Sequence, residues 1–194
     1  MSILIEWQAM KVEIVPFQDK YSDYFYDLNY DWLNEYFYVE DYDEKVLRNC
    51  KEEIIDKGGH IFFAIFKSKV VGTMALIPRE EGIYELNKMA VKKALRGNGV
   101  GHQLIQFVID YSVNNNFKSV ILYSNTVLKN SIHLYNKFGF KEIDNPDAPY
   151  ERSDIKMELK LSNLWKQFTF PICPRIFFCK YIEDHRVKTV SYTH

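Results

Sequence analysis

Three glycines within five residues form the strongest chemical signal in the sequence. They lie in the run Arg96, Gly97, Asn98, Gly99, Val100, Gly101 and His102. Glycine lets the backbone turn sharply and lets a ligand approach peptide N–H groups without meeting a Cβ. Arg96 adds a positive charge at the start of the run. The pattern indicates an anion site, and an ordinary strand-to-helix connection is the alternative that the loop alone leaves open.

Two elements must position this loop. Residues 84–91 alternate as in a strand, and the apolar residues that follow the loop recur with the spacing of one helical face until residues 114–116. The first turn of a helix carries unpaired N–H groups and the positive end of the helix dipole. A phosphate on the glycine run would therefore meet the N-terminus of the following helix.

Two familiar phosphate-binding loops do not fit these residues. A P-loop requires Gly-Lys followed by Ser or Thr, which the sequence does not contain. A Rossmann fingerprint requires G-x-G-x-x-G and an acidic residue at the end of the next strand. The sixth position from Gly97 is His102, and the next predicted strand is followed by Ser124 and Asn125. The residues themselves leave the phosphate ligand open.

Length and composition are those of one soluble domain. The chain has 194 residues, enough for one well-buried core and too few for two ordinary domains. Apolar residues make up 47% and charged residues 26%, as in globular proteins. The net charge of −1 argues against a general affinity for nucleic acid, which needs a basic surface. Because no stretch reaches about 18 uncharged apolar residues, we expect no membrane span.

The cysteines and histidines do not indicate a metal site or a disulfide framework. Cys50, Cys173 and Cys179 are odd in number and widely separated, with no CxxC pair. We expect reduced thiols in a cytoplasmic protein. No cluster of residues has the spacing of metal ligands, so we expect no metal.

The remaining pattern predicts an α+β fold of three layers, a mixed sheet flanked by helices. Strands are expected at residues 12–17, 60–66, 70–77, 84–91, 119–123, 140–143 and 155–161, and helices at 20–38, 42–55, 129–137 and directly after the glycine run. We expect the domain to cover residues 11–161. Residues 1–10 form a short extension before it, with Met10 as an alternative start of translation, and residues 162–194 form an aromatic, proline-containing tail.

Residues downstream extend the glycine motif into a longer constellation. Arg96, Gly99 and Gly101 form R-x-x-G-x-G after a strand, Asn130 and Tyr135 lie on the next predicted helix, and Phe138, Gly139 and Phe140 close that helix. Together they resemble the GNAT superfamily of acetyl-coenzyme A (acetyl-CoA) dependent N-acetyltransferases. The resemblance covers residues 12–161 and is strongest over 84–143. It implies a mostly antiparallel sheet whose fourth and fifth strands splay apart.

The resemblance implies acetyl-CoA as the co-substrate and assigns residues to it. Backbone N–H groups from Gly97 to His102 would hold the pyrophosphate, and the strand edge near Met89 would lie along the pantetheine. A bulge near Met89 or Ala90 would direct a backbone N–H at the acetyl carbonyl. Asn130 would contact the cofactor or cap its own helix. The expected cofactor-binding residues are Met89, Ala90, Val91, Arg96, Gly97, Asn98, Gly99, Val100, Gly101, His102 and Asn130.

Two residues take catalytic roles by the same resemblance. Glu85 lies where some members of the family place a glutamate base, which would remove a proton from the acceptor ammonium. The alternative for Glu85 is a solvated side chain, or one paired with Lys88 or an arginine. Tyr135 lies where the family places a tyrosine facing the sulfur, and a phenol with a pKa of about 10 can protonate a thiolate. The alternative for Tyr135 is a core aromatic residue.

The first helical region, rich in acids and aromatics, suggests the acceptor. Its acidic residues are Asp23, Asp27, Asp31, Glu35, Glu40, Asp41, Asp43 and Glu44, and its aromatic residues are Tyr24, Tyr26, Tyr30, Trp32, Tyr36 and Tyr38. Carboxylates beside aromatic faces suit a cationic amine. The alternative is an ordinary solvated helix face.

The predicted function is acetyl transfer to a small amine, an amino acid or a polyamine-like acceptor. Two alternatives remain: a coenzyme A sensor or partner-binding module without turnover, and acetylation of a protein N-terminus or lysine. The tail 162–194 departs from the family. It could pack against the sheet, join two copies in a homodimer, or remain a poorly ordered extension.

Overall fold

The computed structural model of the protein describes residues 10–145 and 150–161. The strands and helices are β1 (Glu13–Pro16), α1 (Ser22–Tyr36), α2 (Asp41–Arg48), β2 (His60–Phe66), β3 (Lys69–Glu80), β4 (Ile83–Val91), α3 (Val100–Asn114), β5 (Ser119–Ser124), α4 (Lys129–Lys137), β6 (Lys141–Ile143) and β7 (Ile155–Lys160). The predictions for residues 1–9 and for the tail 162–194 lie outside the described residues.

Seven strands form one sheet in the order β1-β2-β3-β4-β5-β7-β6. Every neighbouring pair is antiparallel except β4 and β5, which are parallel. β4 and β5 are parallel because α3 lies between them in the chain and returns it to the same end of the sheet. The predicted mixed, mostly antiparallel sheet flanked by helices is confirmed.

Helices cover both faces of the sheet. On β2, Phe63 lies within 5.1 Å of Tyr21, just before α1, while the neighbouring Phe62 lies 4.9 Å from Phe107 of α3, both measured between ring centroids. Successive strand residues point to opposite faces, so α1 and α3 lie on opposite sides of the sheet. Buried apolar residues from α1, α2 and the central strands form a core on the α1 side.

The splay between β4 and β5 follows from their short pairing. Their register runs only from Ile83 opposite Ser119 to Glu85 opposite Ile121. Beyond that point β4 keeps β3 as a partner through Val91 but has no pairing with β5. Among residues 10–145 and 150–161, one edge of β4 is therefore unpaired from residue 86 onwards, as expected.

A bulge bends β4 within this open part. The β3–β4 register passes from Thr73 opposite Ala90 to Ala75 opposite Asn87, so one residue of β3 faces two of β4. The extra residue is accommodated at Lys88, whose φ is +50°. The bulge thus lies at residues 88 and 89, beside the predicted position.

Two element boundaries differ from the prediction by more than two residues. The helix expected at 42–55 ends as α2 at Arg48, and a π-helical turn, Lys51–Ile55, follows it. The Asn49 side chain donates to the Lys45 carbonyl at 2.9 Å, and such local side-chain bonds compete with the helical pattern. β3 extends to Glu80, because the reversal uses the left-handed conformation of Gly82, at φ +78°.

Candidate active site

A cavity of about 820 Å³ lies where β4 and β5 separate, a volume typical of small-molecule sites. Its wall is built from α1, β4, the glycine loop, the end of β5, α4 and residues 150–153. The loop lies after the C-terminal end of β4, whereas Glu85 lies near its beginning. At about 3.3 Å per residue, the six residues from Glu85 to Val91 separate the two ends of the cavity by roughly 20 Å.

The glycine loop presents open backbone to this cavity. Gly97 and Gly99 have φ values of +80° and +82°, which side chains rarely adopt, and a Cβ built on either would meet nothing within 4 Å. Gly99 is the N-cap of α3, and no side chain in the described part of the chain caps that helix. The first N–H groups of α3 are thus available to an anion at the positive end of the helix dipole. These features fit a pyrophosphate.

Arg96 is less available to a phosphate than the sequence suggested. Its Nε donates to the Val91 carbonyl at 3.0 Å, and its Nη1 donates to Glu35 Oε2 at 2.9 Å and to Tyr36 Oη at 3.2 Å. Arg96 therefore ties the loop to the end of β4 and to α1. Glu35 offsets part of its charge and is shared with Lys93, whose Nζ lies 3.1 Å from Glu35 Oε1.

Most of the predicted cofactor-binding residues line the cavity. These are Met89, Val91, Arg96, Gly97, Gly99, Gly101, His102 and Asn130. The side chains of Ala90 and Val100 are buried, and Asn98 donates its amide to the Arg96 carbonyl at 3.3 Å. Asn130 is the second residue of α4 and not its cap, because the N-cap position belongs to Leu128.

Tyr135 lines the cavity from α4. Its ring lies 5.9 Å from that of Phe140, centroid to centroid, and the side chain is partly buried. Burial raises the pKa of the phenol to about 12. The hydroxyl is therefore protonated at neutral pH and can act as a hydrogen donor.

Glu85 lies at the other end of the cavity, where β4 and β5 part, with a side chain only 1% exposed. Arg79 Nε donates to its Oε2 at 2.6 Å. Asn87 Nδ2 and Tyr150 Oη donate to its Oε1 at 2.6 and 3.2 Å. Burial and the nearby Glu85 charge raise the pKa of Tyr150, which keeps it a donor. Of the alternatives weighed from sequence, pairing with an arginine is the one observed, and Lys88 pairs elsewhere.

A second ion network lies beside Glu85 and was missed from sequence. The fully buried Asp43 of α2 binds Lys88 Nζ from the β4 bulge. It also accepts from Arg152, with Nη1 at 2.7 Å from Oδ2 and Nη2 at 3.0 Å from Oδ1. Arg152 Nη1 also reaches Glu40 Oε1 at 2.6 Å. Burial alone would raise the pKa of Asp43, but the charges of Lys88 and Arg152 outweigh burial and hold this pKa below its ordinary value.

The acidic residues of the first helical region do not line the cavity. None of the eight that the sequence singled out is among its lining residues. Asp23, Asp27 and Asp31 are exposed, as the solvated-face alternative describes. The aromatic residues divide, because Trp32 and Tyr36 line the cavity and Tyr24 and Tyr30 are exposed elsewhere.

The described part of the chain contains no group of three or more His, Cys, Asp or Glu that could hold a metal ion. Within residues 10–145 and 150–161, no helix combines the length and the apolar character that crossing a bilayer requires.

Comparison with known families agrees with this site. Residues 9–140 match the acetyltransferase (GNAT) family. The chain belongs to this family. The match ends at residue 140, so Tyr150 and Arg152 of this GNAT domain lie outside the matched residues.

Two relatives each match less than half of the chain. An N-acetylaspartate synthetase of Xenopus tropicalis is 33% identical over 88 residues, which is 44% of this chain and 32% of that protein. An Escherichia coli protein called uncharacterized N-acetyltransferase YjgM is 30% identical over 96 residues, 47% of this chain and 58% of that protein. The match thus spans about a third of the first relative and over half of the second.

Solved structures share the fold at low identity. A GNAT acetyltransferase from Staphylococcus aureus Mu50 matches with a TM-score of 0.71 at 21% identity, covering 78% of this chain and 99% of that chain. PaiA N-acetyltransferase from Thermoplasma acidophilum, solved with coenzyme A, matches at 0.62 and 19%, with coverages of 78% and 99%. The Vibrio cholerae spermidine/spermine N-acetyltransferase SpeG matches at 0.63 and 18%, with coverages of 81% and 99%.

Proposed function

We propose that the protein transfers the acetyl group of acetyl-CoA to the amine of a small molecule. The observation that carries this proposal is one cavity with two chemically different ends. An open backbone anion site lies at Gly97 and Gly99, and a buried carboxylate, Glu85, lies at the other end. Tyr135 lines the same cavity.

The donor end suits acetyl-CoA through backbone groups. The N–H groups at the start of α3 would hold the pyrophosphate, and the open edge of β4 beyond residue 86 would pair with the pantetheine amides as an added strand does. Acetyl-CoA, when bound, supplies an acetyl group activated as a thioester. The bulge at residues 88 and 89 turns the backbone of β4 away from regular pairing. Because the Lys88 N–H donates to Asn87 Oδ1 at 2.6 Å, we propose that the N–H of Met89 polarises the acetyl carbonyl.

Glu85 is the proposed base. A primary amine is mostly an ammonium ion at neutral pH, so the acceptor must lose a proton before it can attack a carbonyl. Three donors hold the Glu85 carboxylate in one orientation. Because the side chain is only 1% exposed, we expect the proton to reach it through a water molecule. Tyr135 is the proposed acid, since its phenol carries a proton at neutral pH and can pass it to the leaving sulfur.

The names of similar proteins support the class of acceptor. The names of the matched proteins mention N-acetylaspartate in one case and spermidine and spermine in another. Both names refer to small molecules, and this favours a small amine over a protein acceptor here. They leave an amino acid and a polyamine as alternatives.

The test is thiol release from acetyl-CoA across a panel of amines, with thermal shift by acetyl-CoA measured in parallel. We expect Glu85→Gln to lower kcat by about 100-fold or more while the thermal shift persists. Glu142→Gln, at an exposed position of β6, is the matched control and should behave as wild type. Full activity in Glu85→Gln would refute the base assignment. A thermal shift without thiol release on any amine would instead favour a coenzyme A sensor.

A further inference from the structure

The charges that line the cavity are mostly positive. Among the described residues, its lining contains five cationic side chains and one carboxylate, Glu85. The cationic residues are Lys88, Arg96, Lys129, Lys137 and Arg152. The carboxylates that balance Lys88 and Arg152, namely Asp43 and Glu40, are not part of the lining. A ligand at the Glu85 end therefore meets cations first and their counter-ions behind them.

Arg152 has an unused pair of donors. Asp43 takes the end-on fork of the guanidinium, with one carboxylate oxygen on Nη1 and the other on Nη2. Glu40 accepts from Nη1. A guanidinium carries five N–H groups. Asp43 and Glu40 do not use the two donors on its side-on edge, which are the Nε hydrogen and the second hydrogen of Nη2. That edge meets no acceptor within residues 10–145 and 150–161. It has the geometry that binds a carboxylate with two parallel hydrogen bonds.

The surrounding structure holds Arg152 in place next to the proposed base. The Arg152 carbonyl accepts from Asn125 Nδ2 at 2.6 Å, which ties its loop to the end of β5. Its guanidinium carbon lies 5.1 Å from the centre of the Tyr150 ring, and the hydroxyl of that same Tyr150 donates to Glu85. Arg152 and Glu85 thus flank one tyrosine. A ligand with an amine and a carboxylate could place one group toward each.

We infer that the acceptor is an amino acid or a similar amine with a carboxylate, and that Arg152 binds this carboxylate side-on. Lys88 adds positive charge at the same end. The inference rests on the proposed acetyltransferase function and narrows its substrate class. A polyamine fits less well, because its cationic groups would face Lys88 and Arg152 and find only Glu85, whose charge Arg79 already balances.

The experiment compares matched acceptors that differ only in the carboxylate. Each amino acid is assayed beside its primary amide and its decarboxylated amine, with spermidine included, by thiol release from acetyl-CoA. For the amino acid that the wild type acetylates best, we expect kcat/KM to exceed that of its amide and its decarboxylated amine by about 10- to 100-fold. This is the ratio expected for a charge-assisted hydrogen-bonded pair. This preference is measured on the wild-type protein, so it can be determined even if a variant fails to fold.

The substitution Arg152→Lys then tests whether the Arg152 guanidinium binds the acceptor carboxylate. It keeps the charge next to Asp43 but cannot form the side-on fork. We expect a raised KM for the amino acid, a lost preference over the amide, and an unchanged KM for acetyl-CoA. Arg48→Lys is the control, since Arg48 is an exposed guanidinium on α2 away from the cavity.

Three results would overturn the inference in distinguishable ways. A wild type that prefers amides, decarboxylated amines or spermidine refutes the inference and leaves the acetyltransferase function standing. If Arg152→Lys lowers kcat/KM equally for the amino acid and for its amide, the role of Arg152 is refuted. No thiol release with any amine, with acetyl-CoA still bound, refutes the proposed function and the inference with it.

Discussion

Replacing Gly99 by alanine separates the donor-binding role of the loop from its backbone strain. Gly99 has a φ of +82°, and an alanine in this left-handed region costs about 1–2 kcal/mol. For a protein of this size, 1 kcal/mol lowers Tm by about 2–4 °C, so we expect a decrease of about 2–8 °C. The matched control is Gly58→Ala, because Gly58 also has a φ of +82°, also has nothing within 4 Å of an added Cβ, and does not line the cavity.

The two variants should differ in their response to acetyl-CoA. The Cβ added by Gly99→Ala would occupy open space at the N-terminus of α3. If it displaces the ligand from one N–H group, the loss of one charge-assisted hydrogen bond costs about 1.5–3 kcal/mol, or at least tenfold in affinity. At a ligand concentration of about 100 times the wild-type Kd, the stabilisation is about 2.7 kcal/mol. A tenfold weaker site gives about 1.4 kcal/mol by the same relation, so the thermal shift should be roughly halved.

The assay is thermal unfolding with and without acetyl-CoA for wild type and both variants. We expect both alanine variants to lose similar intrinsic stability, while only Gly99→Ala loses about half of the ligand-induced shift. Equal ligand-induced shifts in Gly99→Ala and Gly58→Ala would refute the assignment of the loop as the pyrophosphate site.

Two further substitutions test the cavity. Tyr135→Phe should lower kcat by about 100-fold with the acetyl-CoA affinity kept. Because the pKa of Tyr135 is about 12, the wild-type rate should show no fall due to this residue between pH 7 and 10, and an unchanged kcat in the variant would refute the acid role. Asp43→Asn should cost about 3–5 kcal/mol in urea unfolding at pH 7, since it leaves the buried Lys88 and the partly buried Arg152 short of their shared partner. The pKa of Asp43 is lowered by folding, so its contribution is present above its unfolded pKa of about 3.9 and is lost as the pH falls further. The stability difference between wild type and Asp43→Asn should therefore shrink from pH 7 to pH 3, and a constant difference would contradict the ion network.

The local structure at the glycine-loop end of the cavity could be predicted from the sequence more fully than that at the Glu85 end. Glycines at 97 and 99, the strand before them and the helix after them are local features, and local features can be read from spacing. Asn87 could also have been found, because it lies two residues after Glu85 and shares its face of β4. The network of Asp43, Lys88 and Arg152 could not, since only the folded sheet brings these distant residues together.

The acidic residues of the first helical region were expected to face a cationic acceptor, but none of them lines the cavity. A run of carboxylates predicts a negative surface but does not say which side chains face a cavity. Asp43 lies in the first turn of α2, points inward and accepts from Lys88 and Arg152, so it holds two cations at the cavity instead of offering a negative charge to it. An acid-rich helix and a cation-lined cavity are thus compatible.

Similarity to relatives tells more about the glycine-loop end of the cavity than about the Glu85 end. In the proposed function backbone N–H groups bind the donor, so any chain that keeps the glycines, the bulge and the splay would keep that end, whatever its side chains. The acceptor end depends on side chains, and Arg152 lies beyond residue 140, where the family match stops. Membership in the GNAT family therefore supports the donor, while the proposed acceptor class depends on Arg152, Lys88 and Glu85 of this chain. If the acceptor carries a carboxylate, exchanging Arg152 should change which amine is acetylated without changing how acetyl-CoA is bound.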